Sequence, residues 1–307
     1  MISRTLAPML LLLAIAAAPR ARADALPQPA PAAATQAEAA PAAATQAQPA
    51  HAPTKWSDLT PEQQAKIKAV LQGSGWSVGA GVTEADPGYV GFSRQATFVP
   101  QFFYHYGRFF VSGLDVGYLF GFSRHYRFSV GVSPDFRRVQ ADDSPQLAGL
   151  QTRERSVDAN ANLTLLGDWG SWNLSVSHDI LHRSNGTDLD TGYSHGFKLG
   201  GWNITPGIGV EWQDADEVDY YYGVTPAEAI PGRPVYTPGS SLNPHVGLGF
   251  STDLGAHWSF NANLGYTRFG SAIHDSPLID RSGSPSIYIG FTYSENTLRG
   301  LFRRRGR

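Results

Sequence analysis

From residue 75 onward the chain alternates apolar and polar side chains with a period of two. In Trp258 to Thr267 the residues Trp258, Phe260, Ala262, Leu264 and Tyr266 interleave with Ser259, Asn261, Asn263, Gly265 and Thr267. A β-strand turns successive side chains to opposite faces, so this pattern specifies a sheet with one apolar face and one polar face. The same pattern sets Trp172, Leu174 and Val176 against Ser171, Asn173, Ser175 and Ser177. It also sets Trp202, Ile204, Ile208, Val210 and Trp212 against Asn203, Thr205, Gly207, Gly209 and Glu211. About twelve such runs are legible: 75–83, 94–106, 107–112, 114–122, 125–137, 153–166, 169–181, 190–200, 203–214, 244–254, 257–269 and 284–294. The composition agrees, because 33 Gly, 16 Phe, 13 Tyr and 7 Trp with only two Met suit many short strands better than a helical core.

The joints between these runs separate a soluble sandwich from a membrane barrel. Short joints near Tyr106/Gly107, Ser123/Arg124, Gly167/Asp168, Gly200/Gly201 and Gly255/Ala256 alternate with long ones at 84–93, 138–152, 182–189, 215–243 and 270–283. Only the joint near Gly113 breaks the alternation. Tight turns on one side and long loops on the other mark an outer-membrane barrel, whereas a sandwich has no reason to sort its loops. Trp76, Trp172, Trp202 and Trp258 all open runs that leave the short-turn end, as an aromatic girdle at one membrane interface does. Trp212 and the run Tyr220, Tyr221, Tyr222 then mark the far interface. The expected fold is all-β: a transmembrane antiparallel up-and-down β-barrel of about twelve strands at 75–294, with ten or fourteen also compatible. Closure leaves no unpaired backbone edge in lipid.

The segments before and after the barrel have their own signatures. Arg4, an apolar run from Leu6 to Ala18 and Ala21-Arg22-Ala23 before Asp24 read as a signal peptide at 1–23, cut between Ala23 and Asp24. Its loss removes Arg4, Arg20 and Arg22 and takes the formal charge from −2 to −5. Residues 24–59 are rich in Ala, Pro and Gln, with PAAATQA at 31–37 and again at 41–47, and read as a disordered periplasmic tether. Thr60, Pro61 and Gln63 place a cap, a first-turn proline and a capping-box residue before Ile67, Val70 and Leu71, predicting a short amphipathic helix over 60–73. A basic tail, 295–307, carries Arg299, Arg303, Arg304, Arg305 and Arg307.

Chemistry is sparse. The absence of Cys excludes disulfides, thiolate metal sites and cysteine nucleophiles. Without a basic cluster before the tail there is no electrostatic footprint for nucleic acid. His274, Asp275 and Ser276 are hydrolase-like types, but consecutive residues point apart instead of converging as a triad does. His178 and His182 lie about 13 Å apart on a strand and do not form a metal pair. Asp188, Asp190 and Gly192, or Asp214, Asp216, Glu217 and Asp219, have oxygen ligands without the spacing of a calcium loop. No cofactor is implied. The lumen face is expected to carry Asp115, Arg127, Asp158, Asp179, Lys198, Glu211 and Asp253, which either cross-link into a plug or line an aqueous path.

With the strands laid out, YYYGVTPAEA (220–229), PVYTPGSSLNPHVGLGFSTDLGAHWSF (234–260) and GYTRFGSAIHDSPLIDRSGSPSIYIGFTY (265–293) together resemble the MltA-interacting protein (MipA/OmpV) family of outer-membrane barrels. The similarity extends more weakly through YGRFFVSGLDVGYLF (106–120) to about Trp76. The matching motif residues, of unknown role, are Tyr222, Gly223, Val224, Tyr236, Asp275, Ser276, Pro277, Arg281 and Gly283, with Ser284 beside them. In such barrels a last strand with an upstream Gly and a terminal aromatic is read by the assembly machinery. Gly290 and Tyr293 fit, but Glu295 stands where the final aromatic belongs, so assembly uses either an internal signal or Phe302 in the tail. The resemblance implies a non-enzymatic scaffold in the bacterial outer membrane, contacting outer-membrane lipids and linking a lytic transglycosylase to a murein synthase. A passive pore for small solutes, a lipid-modifying enzyme using Ser276 and adhesion through the 215–243 loop are the alternatives.

Overall fold

The computed structural model describes residues 74–92, 95–123 and 125–294. The signal peptide with Ala23 and Asp24, the tether, the 60–73 helix and the basic tail lie outside the described residues. Thirteen strands follow in order: β1 (Ser74–Ala85), β2 (Gln95–Tyr106), β3 (Phe109–Ser112), β4 (Asp115–Phe122), β5 (Tyr126–Asp135), β6 (Ser156–Gly167), β7 (Gly170–Asp179), β8 (Thr187–Ser194), β9 (Phe197–Leu199), β10 (Trp202–Gln213), β11 (Ser241–Leu254), β12 (Trp258–Arg268) and β13 (Gly283–Ser294). Among the described residues two α-helices lie between strands, α1 (Ala215–Tyr222) and α2 (Ser271–His274), with a 3-10 turn at Pro145–Leu147. The sheet is antiparallel throughout. It closes where β13 returns to β1, in a register running from Ser77↔Ser294 to Ala85↔Ser286.

The closed sheet has twelve staves, because β8 and β9 occupy one position beside β10. This corrects the continuous run expected at 190–200, which instead starts at Thr187 and breaks at His195 and Gly196. The cause lies on the neighbouring stave. The Pro206 carbonyl accepts the His195 N–H at 3.2 Å, so the backbone of Pro206 faces the β8–β9 stave, where proline has no N–H to return.

The register turns the apolar set of each stave one way. Leu163 lies opposite Leu174 on the outward face, while Asn162 lies opposite Ser175 on the lumen face. Trp76, Trp172, Trp202 and Trp258 stand near the short-turn ends of β1, β7, β10 and β12 and are 40 to 49% exposed. Tight turns sit at one end, with Gly107 and Gly255 supplying the positive φ (59° and 81°) that a side chain disfavours. The long connections, 86–94, 136–155, 180–186, 214–240 and 269–282, leave the other end. The β3–β4 hairpin is the exception. Its strands are four and eight residues long, and its turn at Gly113 stops partway up the wall.

Among the described residues the packed hydrophobic core takes no side chain from the wall, where Ala85 at the outer end of β1 is the one buried apolar residue. That core consists of Tyr89, Phe92, Val139, Leu147, Leu150, Val218, Val224, Ile273, Leu278 and Ile279, all contributed by the long loops. The loops pack on one another as a cap at the outer end of the barrel.

Candidate functional site

The cap is organised around α1, whose boundaries follow from its sequence. Asp214 takes the N-cap position, its carboxylate accepting the Glu217 N–H at 2.9 Å, and Asp216 and Glu217 place negative charge at the positive end of the helix. The second Asp214 oxygen accepts the Thr187 N–H at 2.8 Å, which ties the helix to the start of β8. Glu217, Val218 and Tyr221 form the buried face.

Arg137, just beyond β5, is the hub on which this face rests. Its guanidinium pairs with Asp135 at 2.9 Å, with Glu217, and with Asp188 on β8 at 3.6 Å, and it lies over the Tyr221 ring 4.4 Å from the centroid. The Tyr221 hydroxyl donates to Asp135 at 2.9 Å. Burial alone works against the Arg137 charge, but Asp135 and Glu217 together raise its pKa well above the ordinary value. Burial likewise pushes the Tyr221 and Tyr222 phenols upward, so both remain protonated.

A second hub joins two loops. Arg153 grips Glu228 with both terminal nitrogens, at 2.9 and 3.1 Å, and also donates to the Gly223 carbonyl at 3.1 Å. Glu228 further accepts from the Thr225 N–H, the Thr225 hydroxyl and the Gln151 N–H at 2.8 to 2.9 Å. Burial opposes the Glu228 charge, but the Arg153 fork and these donors outweigh it and hold the carboxyl at about 2. Arg233 adds a third tie, donating to the carbonyls of Glu228, Gln146 and Ala148 at 2.8 to 3.1 Å.

The motif residues converge here. Tyr222 ends α1 and stacks on Tyr89 with centroids 5.7 Å apart. Gly223 caps the helix, and its N–H donates to the Asp219 carbonyl at 2.9 Å. Val224 is buried and bridges Tyr236, whose hydroxyl donates to the Ala272 carbonyl at 3.0 Å. Ser276 donates to the Tyr222 carbonyl at 2.6 Å, and Pro277 carries the chain on to the fully buried Leu278. Arg281 pairs with the buried Asp86 at 3.1 Å. Gly283 opens β13 where a Cβ would strike the Thr267 carbonyl. Asp275 follows α2 at the surface, bonded to His274 at 3.0 Å. Of these residues, Tyr222, Gly223, Val224, Tyr236, Ser276 and Arg281 take part in joining one loop segment to another.

Other expected groups stay apart. Ser276 is buried and directed at Tyr222 while His274 and Asp275 are exposed, so the three do not converge. His178 bonds Thr187 and His182 bonds Asn185, each at 2.8 to 3.0 Å. Asp188, Asp190 and Gly192 line the lumen face of β8, while Asp214, Asp216, Glu217 and Asp219 belong to α1 and its cap. Among the described residues no His, Asp and Glu group is arranged to hold a metal ion. The Tyr220–Tyr222 run corrects the expected far-side aromatic belt. It falls on α1, whose helical twist directs Tyr221 inward to Asp135 and Tyr222 onto Tyr89, while Trp212 keeps the outward face. The register puts Asp115, Arg127, Asp158, Asp179, Lys198, Glu211 and Asp253 on the lumen face. Gly290 lies between Gly81 and Asn261, and Tyr293 packs against Trp258 and Trp76 with centroids 5.4 and 6.2 Å apart.

Arg137, Arg153, Glu228 and Arg233 were not singled out from sequence. One local signal was present: Thr225-Pro-Ala-Glu228 has the capping-box spacing, and Thr225 and Glu228 are in fact bonded.

The family model described as MltA-interacting protein MipA matches residues 77–294. The MltA-interacting protein of Escherichia coli (strain K12) is 29% identical over 221 residues, covering 71% of this chain and 89% of that protein. Outer membrane protein OmpV of Vibrio cholerae is 31% identical over 140 residues, covering 45% of this chain and 54% of that protein. Among solved structures, an outer membrane channel from Pseudomonas putida F1 aligns over 72% of this chain and 96% of its own, with 10% identity and a TM-score of 0.38. With the twelve-stave closed barrel and the family model spanning it from β1 to β13, the chain belongs to the MltA-interacting protein MipA family of the outer membrane.

Proposed function

We propose that this protein is a non-enzymatic outer-membrane scaffold that holds a lytic transglycosylase, and with it a murein synthase, at the inner face of the outer membrane. The observation that carries the reading is membership of a family whose Escherichia coli relative, matched over 89% of its length, is named for its interaction with MltA. The packed cap supports it, since the loops of the outer end are spent on one another through Arg137, Arg153 and Arg233. The contacts would come from the short turns, the 24–59 tether or the 60–73 helix, and the outward Trp76, Trp172, Trp202 and Trp258 would anchor the barrel among lipids. Gly290 and Tyr293 would serve assembly. The test is a pull-down of the native barrel from cross-linked envelopes. Recovery of a lytic transglycosylase is expected, and recovery of no murein enzyme would count against the role.

A passive pore is the second reading, favoured by a lumen face of Asn160, Asn162, Asn173, Asn261 and Asn263. Planar-bilayer recording separates the two. Discrete conductance steps support the pore, and silence from folded protein supports the scaffold.

A further inference from the structure

The short β3–β4 hairpin leaves a gap in the wall. The last β2–β3 pair is Phe103↔Ser112, after which the Gly113 N–H closes on the Phe102 carbonyl at 2.9 Å. Beyond that point seven residues of β2, Gln95–Gln101, have β1 on one side and no strand on the other among the described residues. Across the gap, β5 continues past its last β4 partner, Val132, through Ser133, Pro134 and Asp135. Two staves are missing at this level, so three inter-strand spacings of about 4.8 Å leave the β2 and β5 backbones about 14 Å apart. Above the gap the loops of the flanking strands meet: the Ser144 hydroxyl donates to the Val90 carbonyl at 2.7 Å, and Gly91 packs against Gln146. The sheet is thus interrupted in the outer half of the wall, with loops packed above the interruption.

Its edges are built to stay open. The Phe102 carbonyl faces the β3 side, and residues two apart on a strand face alike, so the position of Pro100 that lacks an N–H looks into the gap. A proline on each flank, Pro100 and Pro134, discourages pairing with a further strand.

The lumen face beside this gap is acidic on one side and mixed, with several apolar positions, on the other. On the β2–β4 side the apolar inward positions are Val99, Phe103, Phe110 and Leu119, interleaved with the inward Thr97, Gln101, His105, Ser112 and Asp115. On the β5 side Ser133 is opposite Asp158, Asp158 is opposite Asp179, and Asp188, Asp190 and Glu211 follow on the next staves, Asp188 paired with Arg137 at 3.6 Å and Asp190 with His245 at 2.8 Å. Thr97, inward-facing on the free length of β2, is 7% exposed and its hydroxyl has no partner.

We infer that the gap between β2 and β5 is a lateral port for an amphipathic cation, a molecule with a long alkyl chain and an ammonium-type head, moving between the outer leaflet and the lumen. The chain would lie along Val99, Phe103 and Leu119 and the head on the Asp158 and Glu211 wall, where opposite charge attracts it. This inference does not rest on the scaffold reading, whose pull-down recovers a different class of partner.

The native chain has no Cys, so single cysteines report cleanly. Full-length Val99→Cys, Gln101→Cys and, under an intact stretch of wall, Asn263→Cys are reconstituted in phosphatidylcholine vesicles, and folding is verified by heat-modifiable gel migration. N-dodecylmaleimide delivered through the bilayer is expected to label the two port positions at least about tenfold faster than Asn263→Cys. Dodecyltrimethylammonium should slow that labelling more than uncharged dodecyl maltoside does, and Asp158→Asn should abolish the difference. Equal labelling at all three positions, or none at either port position in folded barrels, overturns the port. Equal protection by the two detergents overturns the cationic ligand.

Discussion

In the wall, Leu163 and Leu174 meet across β6 and β7 with their side chains directed outward, whereas Val218 and Leu278 in the cap are completely buried. Both regions use the same residue types for opposite ends. Outside the gap between β2 and β5 the backbone ladder of the wall is paired and the apolar side chains face lipid, so stability rests on closure of the hydrogen-bonded sheet. In the cap there is little regular ladder, and stability comes from a small core at about 1.5 to 3 kcal/mol for each fully buried side chain, fixed by charged ties. The lesson is that the cap can fail while the wall persists.

The most severe test of that separation is Arg153→Ala, which leaves Glu228 buried without its counter-charge. A loss of about 3 to 5 kcal/mol is expected in the cap, read as fast proteolysis of the 136–155 and 214–240 loops in barrels that still migrate as folded. Next is Leu174→Arg, which places a charge on the lipid face and should cost about 2 to 4 kcal/mol of the wall, measured by denaturant titration in vesicles. Ser175→Arg, one position on and opposite Asp190 on the lumen face, should cost less.

Acid sharpens the contrast further. Glu228 is held at about 2 in the folded cap against an ordinary 4.5, so its contribution is complete above pH 4.5 and is lost as the pH falls toward 2. Loop protection measured across that window should decline in the wild type and be flatter in Glu228→Gln. The smallest effect is expected of Tyr236→Phe, which removes only the hydrogen bond to Ala272 and should cost about 0.5 to 1.5 kcal/mol of cap stability by the same proteolysis assay.

The two regions also differed in how far they could be read from sequence. Strand alternation is local, so Trp258 to Thr267 declares its own two faces, and the anomalous joint at Gly113 was visible as an interruption. The break in β8–β9 was hidden because its cause, Pro206, sits on the adjacent stave. The cap depends on distant pairings, and Arg153 and Glu228 stand 75 residues apart with nothing in either neighbourhood to announce the other. The run Tyr220–Tyr222 resembled a membrane belt because aromatic composition alone does not distinguish a strand at an interface from a helix over a barrel mouth. The family motif residues were found through resemblance, and their shared location in the cap became apparent only in three dimensions.

Amide hydrogen exchange on the protein in bilayers tests the central distinction most directly. The account predicts protected amides both in the β6–β7 ladder and at the cap residues Val218, Val224, Ile273 and Leu278, with Arg153→Ala releasing the cap amides and leaving the ladder unchanged. Cap amides that exchange freely in the wild type, or a variant in which cap and ladder open together, would contradict it.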